Sequence, residues 1–128
     1  MAKTYFLYGT MSSGKSMELI KTAYSYESQN KKFLIGRSAL DTRDDQEAIS
    51  SRIGLHYRID FTLSPTDDAV DVIKQGIAAK YNIKDLNIVM IDEAQFLTPT
   101  QVDEIVQYVT EELNIPVMFF GLKVDFKS

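Results

Sequence analysis

The chain has 128 residues, of which 45% are hydrophobic, and its formal net charge is −4. This length predicts one domain, residues 1–128, with enough apolar side chains to form a buried core. Proteins that mainly bind nucleic acid usually carry a basic face, so the acidic balance and the absence of a Lys/Arg run argue against a nucleic-acid partner. The sequence contains no cysteine, which excludes disulfides and zinc held by cysteines within this chain.

The N-terminal residues predict neither export nor membrane insertion. Met1, Ala2, Lys3 and Thr4 lead directly into a strand pattern, without the apolar segment of a signal peptide. No apolar run approaches the length that spans a bilayer. We therefore expect a cytoplasmic protein without a membrane partner.

Strand and helix patterns alternate through the first half of the chain. The predicted elements are a strand over 4–8, a helix from about Lys15 to about Ser28, a short strand over 33–36, a mostly irregular stretch over 37–54, and one strand within 55–63.

Two capping patterns predict the helices of the second half. Ser64-Pro65-Thr66-Asp67 predicts a helix start with a serine cap and proline at the first helical position. Thr98-Pro99-Thr100-Gln101 has the spacing of a capping box. The runs 87–91 and 116–120 are continuously apolar, which is typical of strands buried on both faces. The fold class that follows is α/β, with a mainly parallel sheet covered by helices on both faces.

The most specific motif is a phosphate-binding loop. Eight consecutive residues match G-x-x-x-x-G-K-[ST] without a mismatch: Gly9, Thr10, Met11, Ser12, Ser13, Gly14, Lys15 and Ser16. The two glycines allow backbone N–H groups to turn towards an anion, and the following helix directs its positive end at the same place. Lys15 adds a charge for the β- and γ-phosphates, and the Ser16 hydroxyl can bind Mg²⁺. The motif therefore predicts a P-loop protein that binds the phosphates of its ligand together with Mg²⁺.

A pair of acids follows the buried strand predicted over 87–91. Ligands of parallel α/β sheets bind at the carboxyl ends of strands, so Asp92 is expected close to Ser16 as a second Mg²⁺ ligand. Glu93 is then available as a general base or as a group that orients a nucleophile.

Four stretches, taken together and in order, resemble the thymidine kinase family, specifically the cytosolic type found in many bacteria and in animal cells. They are 9–16, Asp41-Thr42-Arg43, Asp92-Glu93-Ala94-Gln95-Phe96, and Gly121-Leu122-Lys123-Val124-Asp125-Phe126. The resemblance extends over nearly the whole chain. It implies a RecA-like P-loop kinase that transfers the γ-phosphoryl group of ATP to the 5′-hydroxyl of thymidine or deoxyuridine in nucleotide salvage.

The resemblance also implies roles for individual residues. Glu93 matches the family's catalytic base, and Ser16 and Asp92 match the groups that serve Mg²⁺. The positions that match ATP-binding residues are Gly9, Thr10, Met11, Ser12, Ser13, Gly14, Lys15, Ser16, Asp41, Arg43, Asp92, Glu93, Ala94 and Gln95. Those that match the lining of the thymine pocket are Met11, Phe96, Leu122 and Phe126. A homo-oligomer, the tetramer of the family, is a further expectation.

The chain departs from the family at two places. Val124 occupies a position that is threonine in many bacterial members. The sequence stops at Ser128, whereas the family continues into a domain with a four-cysteine zinc site and a loop that closes over thymine. From this we expect a fragment or remnant whose open site orients the substrates less well.

Two other functions are compatible with the motifs. One is an ATP-binding remnant without transfer activity. The other is a RecA-like motor ATPase, because Asp92-Glu93-Ala94-Gln95 is similar to the Asp-Glu-Ala-x box of helicases. A helicase core needs a second ATPase domain and a basic channel, neither of which this sequence provides.

Overall fold

The computed structural model describes residues 2–9, 15–38, 48–50, 56–80 and 85–122. The strands of these ranges are β1 (Thr4–Gly9), β2 (Lys32–Ser38), β3 (Ala48–Ser50), β4 (His56–Arg58), β5 (Phe61–Leu63), β6 (Leu86–Asp92) and β7 (Val117–Leu122). The helices are α1 (Lys15–Ser28), α2 (Ala69–Lys80), α3 (Pro99–Val106), a 3₁₀ turn (Ala94–Phe96) and a π-helical segment (Gln107–Glu112) that continues α3. No helix among these ranges is long and apolar enough to cross a bilayer.

A five-stranded sheet in the order β1-β7-β6-β2-β5 forms the centre of the fold, and its strand pairs are all parallel. β6 is the middle strand, and its apolar residues alternate between the two faces. Ile88 and Met90 join the cluster under α1, whereas Val89 and Ile91 join the cluster under α2 and α3. This explains why the run is continuously apolar, since both faces of the strand are covered.

The core consists of two apolar layers, one on each face of the sheet. The layer under α1 contains Leu19, Ile20, Ala23, Phe33, Ile35, Ile88, Met90 and Phe120. The layer on the opposite face brings in Leu34, Phe61, Leu63, Ile73, Ile77, Ile105, Val109, Val117 and Phe119, among others. The predicted α/β architecture with helices on both faces is therefore confirmed.

The stretch between β2 and α2 differs from its prediction. Residues 48–50 form β3, which pairs antiparallel with β4, although 37–54 is predicted as mostly irregular. The predicted single strand within 55–63 is two strands, because β4 belongs to that hairpin and β5 pairs with β2. The chain changes sheets at Asp60, whose carboxylate accepts a hydrogen bond from the N–H of Ile35 at 2.8 Å. Alternation over a few residues cannot reveal such a change of partner.

The start of α2 also lies later than predicted. Ser64, Pro65, Thr66 and Asp67 form a turn before the helix, because the Asp67 carboxylate accepts from the Ser64 N–H at 2.8 Å. The helix begins at Ala69, and the carboxylate of Asp68 accepts from the Asp71 N–H at 3.2 Å. Asp68 is thus the capping residue, and the serine–proline pattern belongs to the preceding turn.

The predicted capping box of α3 is confirmed, and its glutamine has a second function. Thr98 and Gln101 exchange hydrogen bonds of 3.0 and 3.1 Å between side chain and backbone. The Gln101 amide also donates to the carbonyls of Ser64 and Asp67, at 2.8 and 3.0 Å. The buried side chain therefore joins the start of α3 to the turn before α2.

Replacing Gln101 with alanine should lower the free energy of unfolding by about 2–3 kcal/mol, because it leaves buried backbone groups without partners. Urea unfolding monitored by circular dichroism measures this change. The matched control is Gln107→Ala, at an exposed position of the π-helical segment, which should change stability by less than about 0.5 kcal/mol. Equal effects of the two substitutions would contradict the assigned role of Gln101.

Candidate functional site

The carboxyl ends of the parallel strands meet at one edge of the sheet, which we call the carboxyl edge. At this edge Gly9 of β1 pairs with Leu122 of β7, and Arg37 of β2 pairs with Asp92 of β6. β7 separates β1 from β6, so these two strands are about 10 Å apart. The residues that end β1 and β6 are thus brought to the same edge from distant parts of the sequence.

The phosphate-loop motif begins at this edge. β1 ends at Gly9 and α1 begins at Lys15, as the motif requires. The N-terminus of α1 therefore follows directly from the carboxyl edge, and its free N–H groups and positive dipole end suit an anion there. Thr10, Met11, Ser12, Ser13 and Gly14 lie outside the described residues. For Lys15 and Ser16 the structure describes the helical backbone, so the roles of their side chains stay predictions.

Asp92 ends β6 on the face of the sheet that α1 covers. It lies two and four residues after Met90 and Ile88, which pack under α1, and residues at this spacing point to one face of a strand. Its side chain is only 3% exposed. A buried carboxylate on the α1 side is a suitable oxygen ligand for a cation held near the start of that helix.

The described residues supply few ligands for a metal ion. They contain no group of three or more His, Cys, Asp or Glu side chains that could enclose a metal ion. Mg²⁺ typically binds one or two carboxylates and completes its shell with water and substrate phosphates. The predicted pair of Asp92 and Ser16 would follow this pattern, although of Ser16 the structure describes only the backbone.

Glu93 has an unusual backbone conformation. Its φ and ψ are 57° and 39°, in the left-handed region that glutamate rarely occupies. The strand ends here, and the 3₁₀ turn Ala94–Phe96 begins, with the Phe96 N–H donating to the Glu93 carbonyl at 3.2 Å. Such strain is found mainly at functional sites, where the surrounding structure maintains it. No sequence signal could have predicted it, since asparagine or glycine is the usual residue for this conformation.

The Glu93 carboxylate has a neighbour that the sequence did not predict. The Gln95 side-chain amide donates to Glu93 Oε2 at 2.7 Å. Gln95 in turn lies over Gly121, where an added Cβ would be 3.0 Å from Gln95 Oε1 and 2.7 Å from the Tyr8 ring. Glu93, Gln95, Gly121 and Tyr8 thus form a contiguous set, which we call the Glu93 cluster. Partial burial raises the pKa of the Tyr8 phenol above its ordinary value.

The aromatic strand before the motif is less buried than its sequence suggests. β1 lies at one edge of the five-stranded sheet, and Tyr5, Phe6 and Tyr8 are 43–50% exposed. Phe6 stacks on Phe119 with ring centroids 5.0 Å apart, and on Tyr8 at 6.0 Å. Phe6 therefore packs against the buried Phe119, while the aromatic side chains of β1 remain partly open to solvent at the edge of the sheet.

The other predicted site residues are described in part or not at all. Phe96 is partly buried in the 3₁₀ turn, and Ala94 is buried in the layer that faces α2 and α3. Only the backbone of Leu122 is described. Asp41, Arg43 and Phe126 lie outside the described residues. Ser38, which sequence reasoning missed, ends β2 at the carboxyl edge with a buried hydroxyl that has no hydrogen-bond partner in the described part of the chain.

The conformation of Glu93 leads to a prediction about stability. Glu93→Gly and Glu93→Ala both remove the carboxylate, but only alanine keeps a Cβ in the left-handed region. The glycine variant should therefore be more stable than the alanine variant, by about 1 kcal/mol. Urea unfolding of the two purified variants measures the difference. Equal stability, or a more stable alanine variant, would show that the left-handed conformation is wrong.

Comparisons with known proteins point to one family. The family model described as thymidine kinase matches residues 2–128. A thymidine kinase of Streptococcus thermophilus (strain CNRZ 1066) is 46% identical over 128 residues, which are 100% of this chain and 61% of the relative. A thymidine kinase of Streptococcus pyogenes serotype M3 (strain ATCC BAA-595 / MGAS315) is 44% identical over 128 residues, which are 100% of this chain and 64% of the relative.

The chain thus spans less than two thirds of the length of these curated relatives. The family match nevertheless covers both the phosphate-loop motif and the acid pair, and extends to the end of the sequence. The chain belongs to the thymidine kinase family.

Proposed function

We propose that this chain forms the nucleotide-binding part of a thymidine kinase, which transfers the γ-phosphoryl group of ATP to the 5′-hydroxyl of thymidine or deoxyuridine. The observation that carries the proposal is the arrangement at the carboxyl edge. Gly9 and the start of α1 lie at the same edge as Asp92 and Glu93, with Asp92 on the α1 side of the sheet. Relatives named thymidine kinase match along the whole chain, which favours a nucleoside kinase over a RecA-like motor ATPase.

The phosphate loop and the start of α1 bind the triphosphate of ATP. Backbone N–H groups of 9–16 and the Lys15 ammonium hold the phosphate oxygens, and Asp41 and Arg43 supply further contacts. Ser16 and Asp92 would hold Mg²⁺, which would neutralise charge on the phosphates. Asp92 is suited to this role because its buried carboxylate is on the side of the sheet that faces α1.

Glu93 acts as the general base. Its carboxylate accepts the proton of the nucleoside 5′-hydroxyl as that oxygen bonds to the γ-phosphorus, and the bond from phosphorus to the bridging oxygen of ADP breaks. The thymine ring lies against Met11, Phe96, Leu122 and Phe126, and the flat aromatic faces of the two phenylalanines suit a planar base. Phosphoryl transfer depends mainly on positioning, so the orientation of Glu93 towards the hydroxyl is the chief requirement.

Assembly and location are further parts of the proposal. A homo-oligomer in the cytoplasm would agree with the family resemblance, and size-exclusion chromatography with light scattering tests the assembly directly.

Glu93→Gln should lower kcat at least about 100-fold, because the amide cannot accept the proton. The assay incubates the chain with ATP, Mg²⁺ and labelled thymidine, and separates thymidine monophosphate. Glu104→Gln, an exposed position of α3, is the matched control and should keep full activity. Activity that survives in Glu93→Gln would exclude Glu93 as the base.

The same assay distinguishes the alternative function. ATP binding by the unmodified chain, measured by calorimetry, without any monophosphate would support an ATP-binding module without transfer activity. Monophosphate formation that depends on Glu93 would exclude it.

A further inference from the structure

We propose that Gln95 is a positioning residue that fixes the orientation of the Glu93 carboxylate, and that Gly121 and Tyr8 hold Gln95 in place. The inference rests on the proposed function, in which Glu93 is the base. It gives Gln95 a role different from the ATP contact that the family resemblance implies.

The first support is the contact between the two side chains. Gln95 Nε2 lies 2.7 Å from Glu93 Oε2, a short distance that is typical of a hydrogen bond to a charged acceptor. The carboxylate also determines which way the amide is turned. The opposite orientation would place the amide oxygen against a carboxylate oxygen, which is repulsive. The amide N–H₂ group therefore faces Glu93, and the amide oxygen faces Gly121.

The second support is the conformation of Glu93. A glutamate side chain has several rotatable bonds, and a base must bring one oxygen within about 2.6–3.2 Å of the proton that it accepts. The left-handed backbone of Glu93 directs the side chain differently from an extended strand residue. A hydrogen bond to Oε2 limits rotation of the carboxylate and so fixes Oε1 as well.

The third support is the space in which Gln95 lies. Gly121 has no side chain, and an added Cβ would be 3.0 Å from Gln95 Oε1 and 2.7 Å from Tyr8 Cε1. The distance to Tyr8 is shorter than real Cβ contacts and the distance to Gln95 is tighter than most, so both neighbours lie in the space that glycine leaves. Tyr8 is itself restrained by stacking with Phe6. Gly121 and Tyr8 thereby prevent Gln95 from moving away from Glu93 across the end of β7.

A double-mutant cycle tests whether Gln95 acts through Glu93. Gln95→Met keeps a side chain of similar length but removes the donor, and it should lower kcat about 10- to 100-fold while KM for ATP changes less than about twofold. In a Glu93→Gln background the same substitution should change the remaining kcat by less than about twofold. Independent, multiplicative effects would overturn the proposal, as would a rise in KM for ATP without a fall in kcat.

Two further variants separate positioning from general damage. Gln75→Met is the matched control, since Gln75 also donates its amide to a carboxylate, that of Asp71 at 2.9 Å, on the exposed side of α2. It should leave kcat unchanged. Gly121→Ala keeps Glu93 and Gln95 but adds a methyl group to the space in which Gln95 and Tyr8 lie. Like Gln95→Met, it should lower kcat. Full activity in Gly121→Ala would contradict the role given to Gly121.

A spectroscopic measurement shows, independently of catalysis, whether the Gln95 side chain contacts the Glu93 carboxylate. In ¹H–¹⁵N spectra of the complete chain, Glu93→Ala should shift the side-chain amide resonances of Gln95, whereas Glu104→Ala should not. An unchanged Gln95 amide in Glu93→Ala would overturn the positioning role. If the unmodified chain forms no thymidine monophosphate, that result counts against the proposed function. The amide spectra would still show whether Gln95 contacts Glu93.

Discussion

Parallel pairing of strands that are buried on both faces is the constraint on which the rest of the structure depends. Parallel neighbours need crossover connections, which here contain helices or, between β2 and β5, the β3–β4 hairpin, so the carboxyl ends of the strands meet at one edge. In this chain the pairing brings Gly9, Ser38, Asp92 and Leu122 to that edge. Residues that are more than eighty positions apart in sequence, such as Gly9 and Asp92, thereby become parts of one site.

The same constraint explains why two adjacent acids have different environments. Asp92 is the last residue of β6, so the strand's alternation directs it to the α1 face and buries it. Glu93 lies immediately beyond the strand, where the left-handed conformation ends the alternation and starts the 3₁₀ turn. The two carboxylates can therefore have separate roles, one as a ligand for a cation and one as a base, although they are neighbours in sequence.

In the Glu93 cluster, the backbone determines where Glu93 lies, and contacts between side chains orient its carboxylate. Gln95 donates to the Glu93 carboxylate, and Gln95 itself lies beside Gly121 and Tyr8, which stand near the ends of two other strands. Positioning matters more than covalent chemistry in phosphoryl transfer, so contacts of this kind bear directly on rate. Sequence motifs identify the group that reacts, whereas the contacts that orient it depend on the fold.

Most of the fold could be predicted from sequence because its signals are local and strong. The apolar runs of β6 and β7, the start and end of α1, and the Thr98–Gln101 capping box each result from neighbouring residues. The hairpin β3–β4 and the start of α2 could not, because they depend on long-range pairing and on which of two adjacent aspartates caps the helix. The sequence predicted Asp92 at the carboxyl edge because parallel strands all end there. It could not predict the Gln95–Glu93 contact, because that contact depends on a turn conformation that no residue type signals.

A paramagnetic metal ion can show whether ATP binds at the carboxyl edge of the sheet. Mn²⁺ can replace Mg²⁺ with ATP, and its unpaired electrons broaden the NMR signals of nearby amides. We expect strong broadening at Asp92 and Glu93, and much less at Leu86, which begins β6 about 20 Å from Asp92. Broadening at the amino ends of the strands, or at neither end, would contradict the assignment of the nucleotide site to the carboxyl edge.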